Sequence, residues 1–155
     1  MNIQFGKKHG KFHKQGKYSK KKCEYDSDED DDTNHNDYEN TIYTMGNKVF
    51  FYDEINAETI LELKKQIHNL ELELFEVKTK YSLEPTIELH LYSNGGDVFM
   101  GLDMYRCIKN SKLNIDTYVD GMIASAATFL FLAGRNRYIS EYGHILIHQL
   151  STGFW

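Results

Sequence analysis

The sequence predicts an α/β fold with a mostly parallel sheet flanked by helices. Short β-branched and aromatic runs alternate along the chain with longer segments in which apolar residues recur every three or four positions. Each strand, helix and following strand form a unit of the length that builds a right-handed crossover between parallel strands. No internal sequence repeat is evident.

Composition places the folded domain in the later part of the chain. Residues 1–40 contain only eight hydrophobic residues, whereas residues 41–155 contain 55 of 115. Residues 1–22 hold eight lysines and no acid, and residues 23–40 hold nine acids and no base. Such a polar segment cannot bury enough apolar surface to offset the conformational entropy lost on ordering. We therefore predict a disordered, basic-then-acidic tail at residues 1–40 and one domain at residues 41–155.

The first predicted strand and helix open this domain. Residues 48–52, KVFFY, form a β-branched and aromatic run, and Asp53 and Asn56 behind it are candidate helix caps. The following apolar residues are three or four positions apart, which predicts an amphipathic helix with one buried face. These residues are Ile60, Leu63, Ile67, Leu70, Leu74 and Val77.

A second unit of the same kind follows Pro85. Residues 86–92, TIELHLY, alternate between apolar side chains and others, which predicts a strand with one buried face. Residues 93–96, SNGG, predict a tight turn into a second helix. That helix carries Leu102, Tyr105 and Ile108.

The remaining elements are a third strand, a third helix and two strand-like segments. Ile115, Thr117 and Val119 mark the third strand, and the third helix begins near Ser125. The uncharged stretch at residues 121–134 is too short to span a bilayer, so we interpret it as buried core. The strand-like segments at the end of the chain are residues 137–140 and residues 144–148.

Several classes of protein are excluded. Cys23 and Cys107 are far apart, and no CxxC or Cys/His ligand spacing occurs, which argues against a disulfide scaffold, a zinc site or any other metal site. The amino terminus lacks the apolar segment of a signal peptide, so we expect a cytoplasmic protein without a membrane segment. The net charge of −5 says little about partners, because the two halves of the tail can neutralise each other.

The basic half of the tail leaves one binding function open. Its lysines are interleaved with Phe5, Phe12 and Tyr18, a composition that can contact nucleic acid or an anionic surface. We prefer a solvated tail shielded by its own acids, and we do not expect nucleic acid to be a partner.

Three features at predicted strand ends carry candidate chemistry. Gly95 and Gly96 permit positive φ and close approach, so their N–H groups can face an oxyanion, although a plain turn is the alternative. Ser125 opens a helix of small residues, either as a nucleophile or as an ordinary N-cap. His148 ends an apolar run that neighbouring strands can bring beside Ser125, or it has a structural role. His144, on the same strand face, is a competing base candidate.

Together these features resemble the proteolytic subunit of the Clp protease (ClpP) family. The resemblance rests on LYSNGGDVFMGLDMY, VDGMIASAATFLFLAG and HILIHQL, in that order and spacing, and it covers about residues 47–155. In the family the corresponding blocks are a serine-proline-glycine-glycine turn, a glycine-x-alanine-serine nucleophile segment and an isoleucine-histidine-glutamine-proline segment. The resemblance implies the ClpP/crotonase-like fold of repeated β-α-β units.

The resemblance also implies an activity and partners. Ser125 is implied as the nucleophile, His148 as the general base, and the N–H groups of Gly96 and Ala126 as the oxyanion hole of a serine endopeptidase. The substrates implied are unfolded polypeptides, and the implied partners are a Clp-type AAA+ unfoldase and copies or paralogues of the subunit in stacked rings. No cofactor is implied, since ATP is used by the unfoldase.

The sequence departs from the family pattern at several positions. Asn94 and Leu150 replace prolines, and Ala126 replaces a methionine, which changes turn stiffness and packing more than chemistry. In the family an aspartate that orients the histidine follows it by several tens of residues, whereas here seven residues follow His148 and none is an acid. Asp97, Asp103, Asp120 and Glu141 do not occupy that position. We therefore expect an N-terminal portion of the domain, without the handle helix and with impaired activity.

Two other functions are compatible with the sequence. The first is a non-catalytic subunit of a mixed ring, because the orienting acid is not found. The second is acyl-CoA binding of the enoyl-CoA hydratase type, which shares a glycine-built oxyanion hole and does not need the Ser125 and His148 pair.

Overall fold

The computed structural model describes residues 41–149, which form six strands and three helices. Their bounds are Ile42–Met45 (β1), Lys48–Phe51 (β2), Ala57–Tyr81 (α1), Thr86–Ser93 (β3), Val98–Lys109 (α2), Asn114–Ala124 (β4), Ala127–Ala133 (α3), Arg137–Ile139 (β5) and His144–Leu146 (β6). The predicted α/β class is confirmed. The predicted tail at residues 1–40 lies outside the described residues.

The sheet has the order β1-β2-β3-β4-β5, and β6 also pairs with β4. β1 is antiparallel to β2, and every other pairing is parallel, so the expected mostly parallel sheet is confirmed. β4 is long enough to pair with two strands in succession. Its first half pairs with β5 and its last residues pair with β6. The ends of β3, β4 and β6 therefore meet at one edge of the sheet.

The hairpin at the start of the domain is only half predicted by the sequence. The strand expected at residues 48–52 is confirmed as β2, but its partner β1 is not predicted. Met45 pairs with Lys48 across a two-residue turn in which Gly46 has φ +62°. Glycine and asparagine favour such positive φ values in hairpin turns. Gly46-Asn47 was therefore the one signal for β1 in the sequence.

Helix α1 begins where the sequence predicts. The Asn56 side chain accepts hydrogen bonds from the N–H groups of Glu58 and Thr59, and the Thr59 hydroxyl accepts one from the Asn56 N–H. This capping box satisfies donors that a helix start leaves free. Asp53 does not cap the helix, because its carboxylate accepts from the Thr41 hydroxyl and the Glu54 N–H instead.

The helices pack on one face of the sheet. Ile87, Leu89 and Leu91 are completely buried against them, as the alternation in residues 86–92 predicts. On α2 the buried side is formed by Gly101, Met104 and Ile108 rather than by Leu102, which is exposed. No helix in residues 41–149 is long and apolar enough to cross a membrane.

The last elements differ from their predicted bounds. β4 continues to Ala124 and the third helix begins at Ala127, two residues after the predicted start near Ser125. Most of residues 121–134 is buried as predicted, although Leu132 is half exposed. β6 ends at Leu146, which leaves His148 beyond the strand instead of at its end. The ends of β4 and β6 differ from the predicted bounds because the two strands pair with each other, and this pairing decides where each strand stops. A local sequence pattern does not reveal such pairing.

Candidate active site

The turn after β3 contains two glycines whose backbone lies very close to other parts of the chain. Gly95 has φ +95° and Gly96 has φ +142°, conformations that L side chains rarely adopt. A Cβ on Gly95 would lie 2.7 Å from the Ser125 Cβ, and a Cβ on Gly96 would lie 2.2 Å from the carbonyl oxygen of Ile55. The buried Ser93 hydroxyl accepts a hydrogen bond from the Gly95 N–H, which is the turn role expected of it. The predicted need for glycine is confirmed.

The chain before α1 holds this turn in place. The Ile55 N–H donates to the Gly95 carbonyl at 2.7 Å, and the Asp97 N–H donates to the Ile55 carbonyl at 2.7 Å. These two hydrogen bonds hold the residues directly before and after Gly96. The Gly96 N–H donates to no group within residues 41–149.

Ser125 lies on a sharp turn between β4 and α3. Its φ is +53°, in the left-handed region that non-glycine residues seldom occupy. Its N–H donates to the Leu146 carbonyl, and its own carbonyl accepts from the N–H and the hydroxyl of Thr128. The alternative that Ser125 is an N-cap is wrong, since Ala126 is at that position and no side chain caps the helix. The Ser125 hydroxyl has no hydrogen bond to any other described residue.

The N–H of Ala126 lies against the glycine turn. An ideal Cβ on Gly95 would be 3.1 Å from the Ala126 nitrogen. Gly101 allows this packing from the other side, because a Cβ there would be 3.0 Å from the Ala126 carbonyl oxygen. Among residues 41–149 we find no acceptor for the Ala126 N–H. The structure therefore brings Ser125, Ala126 and the Gly95–Gly96 turn together.

His148 reaches the same edge of the sheet but makes no hydrogen bond with Ser125. Ala124 pairs with Leu146, so His148 follows the end of β6 as Ser125 follows the end of β4. The His148 ring is exposed, and its Nδ1 lies 2.8 Å from the Gln149 carbonyl oxygen. His144 pairs with Met122 at the other end of β6, about 13 Å from His148 along an extended chain. His148 is therefore the better placed of the two histidines.

The acids considered from the sequence have other partners or lie elsewhere. Asp97 caps α2 by accepting from the N–H groups of Phe99 and Met100. Asp103 forms ion pairs with Lys64 and Arg106, and the Lys64 hydrogen bond lowers the pKa of its carboxyl. The Asp120 carboxylate is bound by Tyr52 and His90, and Glu141 lies on an exposed turn. Within residues 41–149 none of these acids contacts His148.

An aromatic row crosses the sheet face opposite the helices, and the sequence does not predict it. Neighbouring rings stack with their centroids between 4.7 and 4.8 Å apart. The rings of the aromatic row are those of Tyr43, Phe50, His90, Tyr118 and Tyr138. These residues are adjacent only because of strand register, which no local pattern encodes.

The histidine of the aromatic row is held by a carboxylate. His90 Nδ1 lies 2.9 Å from an Asp120 oxygen that also accepts the Tyr52 hydroxyl at 2.6 Å. Burial, followed by the Asp120 hydrogen bond, raises the pKa of Tyr52. His90 Nε2 is buried and has no hydrogen-bond partner among the described residues. His90 and Asp120 therefore hydrogen-bond to each other on the sheet face, and neither has a hydrogen bond to Ser125 among the described residues.

No cluster of three or more histidine, cysteine, aspartate or glutamate side chains within residues 41–149 is arranged to hold a metal ion. Cys107 is half-buried in α2, and burial raises the pKa of its thiol. A high thiol pKa disfavours the thiolate, which is the nucleophilic form. Cys107 is therefore a poor candidate for a nucleophile.

The fold and this strand-end arrangement define an α/β protein with a candidate acyl-transfer site. The family model described as Clp protease matches residues 31–155. The chain belongs to the Clp protease family.

Individual relatives agree with this assignment. The chain is 32% identical over 121 residues to the ATP-dependent Clp protease proteolytic subunit 2 of Corynebacterium glutamicum, covering 70% of the chain and 56% of the relative. It is 30% identical over 95 residues to the protein of that name from Borreliella burgdorferi, covering 60% of the chain and 48% of the relative. The chain thus spans about half the length of the curated relatives it matches.

Solved structures show the same fold. ClpP1 from Listeria monocytogenes superposes with a TM-score of 0.57 at 28% identity, covering 68% of this chain and 58% of that one. The ClpP protease catalytic domain from Plasmodium falciparum superposes with a TM-score of 0.54 at 28% identity, covering 64% of this chain and 52% of that one.

Proposed function

We propose that the chain is a serine endopeptidase subunit of Clp type that hydrolyses peptide bonds of unfolded proteins. The observation that carries the proposal is the contact between Ser125 and the Gly95–Gly96 turn. It supports the proposal because a strained serine packs against this turn, and the N–H groups of Gly96 and Ala126, one in the turn and one directly after the serine, have no acceptor within residues 41–149. Strained conformations of this kind cluster at active sites.

The arrangement suits acyl transfer. Ser125 Oγ attacks the carbonyl carbon of the substrate while His148 takes the hydroxyl proton. The resulting oxyanion accepts hydrogen bonds from the N–H groups of Gly96 and Ala126, and removal of one such donor typically costs about 10²–10³ in kcat. The C–N bond then breaks as His148 returns the proton to the leaving amine. Water hydrolyses the acyl-serine ester with His148 again as the base.

The tautomer of His148 favours its role as base. A carbonyl oxygen can only accept, so the 2.8 Å contact with Gln149 requires the hydrogen on Nδ1. In the neutral ring Nε2 then carries the lone pair that proton abstraction needs. A neutral carbonyl stabilises the imidazolium less than a carboxylate does, so this contact replaces only the orienting part of an aspartate's role. The base step also requires His148 and Ser125 Oγ, which share no hydrogen bond in the structure, to come within hydrogen-bond reach of each other.

The family suggests how the subunit operates. We infer that it assembles with copies of itself or with paralogous subunits in stacked rings in the cytoplasm. An AAA+ unfoldase of the Clp type supplies unfolded polypeptide and uses the ATP, and the chain itself needs no cofactor. Support comes from the relatives, which are named proteolytic subunits of an ATP-dependent protease.

A fluorophosphonate probe tests the proposal without requiring turnover of a protein substrate. We expect the intact chain to be labelled at Ser125, as mapped by peptide mass spectrometry, and the Ser125→Ala variant to remain unlabelled. His148→Ala should slow labelling by about 100-fold or more, the usual contribution of a general base. Ser140→Ala, which removes an exposed serine after β5, is the control and should label normally. Labelling of a different serine, or of none, would contradict the proposal.

A non-catalytic ring subunit is the second candidate. The observation in its favour is that none of the four acids considered contacts His148 within residues 41–149. Native mass spectrometry of the chain mixed with a complete Clp subunit should then show mixed assemblies in which Ser125 resists the probe. Separate species alone would count against it. Membership of the Clp protease family favours both candidates over acyl-CoA binding.

A further inference from the structure

Each of the two proposed oxyanion donors shares a peptide unit with a carbonyl that another residue holds. The Gly96 N–H is in one peptide unit with the Gly95 carbonyl, and the Ala126 N–H is in one peptide unit with the Ser125 carbonyl. Every peptide bond within residues 41–149 is trans. A trans peptide unit is planar, so its N–H and C=O point in opposite directions. A hydrogen bond to the carbonyl therefore fixes the direction in which the N–H points.

The two carbonyls are held by different kinds of donor. The Gly95 carbonyl accepts a hydrogen bond from the Ile55 N–H at 2.7 Å. The Ser125 carbonyl accepts two, from the N–H of Thr128 at 3.0 Å and from the Thr128 hydroxyl at 2.7 Å. Both distances are those of ordinary hydrogen bonds. The orientation of the Ala126 N–H therefore depends on a side chain, whereas that of the glycine turn depends on backbone alone.

The peptide unit between Ser125 and Ala126 needs this support. Ser125 has φ +53°, and a non-glycine residue keeps such a conformation only where its surroundings hold it. The Thr128 side chain is buried, so water competes little for its hydroxyl. A hydroxyl that donates to a carbonyl also polarises that peptide unit, because hydrogen bonds in a chain strengthen one another. The N–H of a polarised unit is a stronger donor.

We propose that Thr128 is a positioning residue of the oxyanion hole, whose hydroxyl orients and polarises the Ala126 N–H through the Ser125 carbonyl. This inference rests on the proposed acyl transfer by Ser125. Thr128 acts through the peptide unit and not on the substrate itself. In the transition state a chain of hydrogen bonds runs from the Thr128 hydroxyl, through the peptide unit, to the oxyanion.

Thr117 offers a matched control for this side chain. It is fully buried, and its hydroxyl donates to the carbonyl of Phe131 in α3 at 2.8 Å. Valine has nearly the shape of threonine but no hydroxyl, so Thr128→Val and Thr117→Val each lose one bond of the same kind. Neither variant leaves a carbonyl without a donor. The Ser125 carbonyl keeps the N–H of residue 128, and the Phe131 carbonyl keeps the Gly134 N–H at 3.3 Å.

The fluorophosphonate reaction measures the effect on the oxyanion hole. Ser125 Oγ attacks phosphorus, His148 takes the hydroxyl proton and fluoride leaves, while the phosphonyl oxygen occupies the oxyanion position. We expect Thr128→Val to lower the maximal rate of Ser125 labelling by about tenfold, less than the roughly 10²–10³-fold cost of losing a whole donor. The half-saturating probe concentration and the final labelled fraction should stay unchanged. A variant that only destabilises the fold lowers the labelled fraction instead.

Rescue and control variants complete this experiment. Thr128→Ser keeps the hydroxyl and should label like the unsubstituted chain. Thr117→Val loses its hydrogen bond away from the peptide unit and should also label like the unsubstituted chain. If Thr128→Val labels as fast as Thr117→Val, the proposal is overturned, while the proposed function of Ser125 stands.

Hydrogen exchange of the full chain, followed by mass spectrometry, tests the same contact without catalysis. The N–H of residue 128 donates to the Ser125 carbonyl, so its exchange rate reports how often that bond opens. After correction for the intrinsic rates, we expect Thr128→Val to increase this exchange by about fivefold, as loss of one hydrogen bond should. Thr128→Ser and Thr117→Val should leave it unchanged. If the unsubstituted chain resists the probe, the proposed function fails and exchange alone decides the role of Thr128. Unchanged exchange in Thr128→Val refutes that role in either case.

Discussion

Replacement of Gly95 by alanine tests the contact on which the candidate site depends. The residue has φ +95°, and an L residue in a left-handed conformation costs about 1–2 kcal/mol. The added Cβ would also lie 2.6 Å from the Ala124 carbonyl oxygen and 2.7 Å from the Ser125 Cβ. These atoms belong to a strand end fixed by pairing with β6, so overpacking adds about 1–3 kcal/mol. We expect a total destabilisation of about 2–5 kcal/mol.

Gly46→Ala is the matched control for this variant. Gly46 also has positive φ, at +62°, but a Cβ there would meet nothing within 4 Å. It therefore carries the conformational cost of about 1–2 kcal/mol without the clash. Urea denaturation followed by far-ultraviolet circular dichroism measures the free energy of unfolding of both variants. If Gly95→Ala costs no more than Gly46→Ala, the close packing of the turn against Ser125 is not what the geometry indicates.

Three further predictions concern the fold. Asn56→Ala removes the N-cap of α1 and should cost about 1 kcal/mol in urea denaturation, whereas a cost near zero would deny the cap its role. Leu89→Ala empties a fully buried position and should cost about 2–5 kcal/mol in the same assay, compared with under about 0.5 kcal/mol at an exposed control such as Glu73→Ala. The Lys64 hydrogen bond holds the pKa of Asp103 below its ordinary 3.8, so its contribution is complete above that pH and is lost as the pH falls further. Asp103→Asn should therefore reduce the loss of stability between neutral pH and about pH 3, and an unchanged acid dependence would contradict this.

Local pattern was sufficient for the elements whose burial repeats along the chain. The three- and four-residue spacing from Ile60 predicts α1, and the alternation at Ile87, Leu89 and Leu91 predicts β3, because each period corresponds to one buried face. Both elements are confirmed. The glycine turn was also predictable, since Gly95 and Gly96 are adjacent and follow a strand.

Features that depend on strand register were not predictable in this way. The aromatic row exists because Phe50 pairs with His90, and His90 with Tyr118, across separate strands. β6 ends at Leu146 because its partner β4 ends at Ala124 and the chain turns at Ser125. The sequence pattern extended this strand to His148, two residues too far. In both cases the decisive contact lies many residues away, and a local window contains no trace of it.

The candidate site is unevenly preorganised, and this asymmetry bears on its activity. Ser125, the proposed nucleophile, is fixed through both its N–H and its carbonyl, which is how a strained conformation persists. Of the two proposed oxyanion donors, Gly96 is held by the hydrogen bonds of Ile55 on either side of it, and Ala126 is held by its packing against Gly95 and Gly101. His148, in contrast, is exposed and bonded only to its neighbour Gln149 among the described residues. The proposed mechanism needs a base that is positioned as firmly as the proposed nucleophile and donors, because proximity accounts for much of the rate. If the chain acts as we propose, positioning of His148 is the step that limits acylation of Ser125, and any contact that holds the histidine over the serine should increase the rate of acylation.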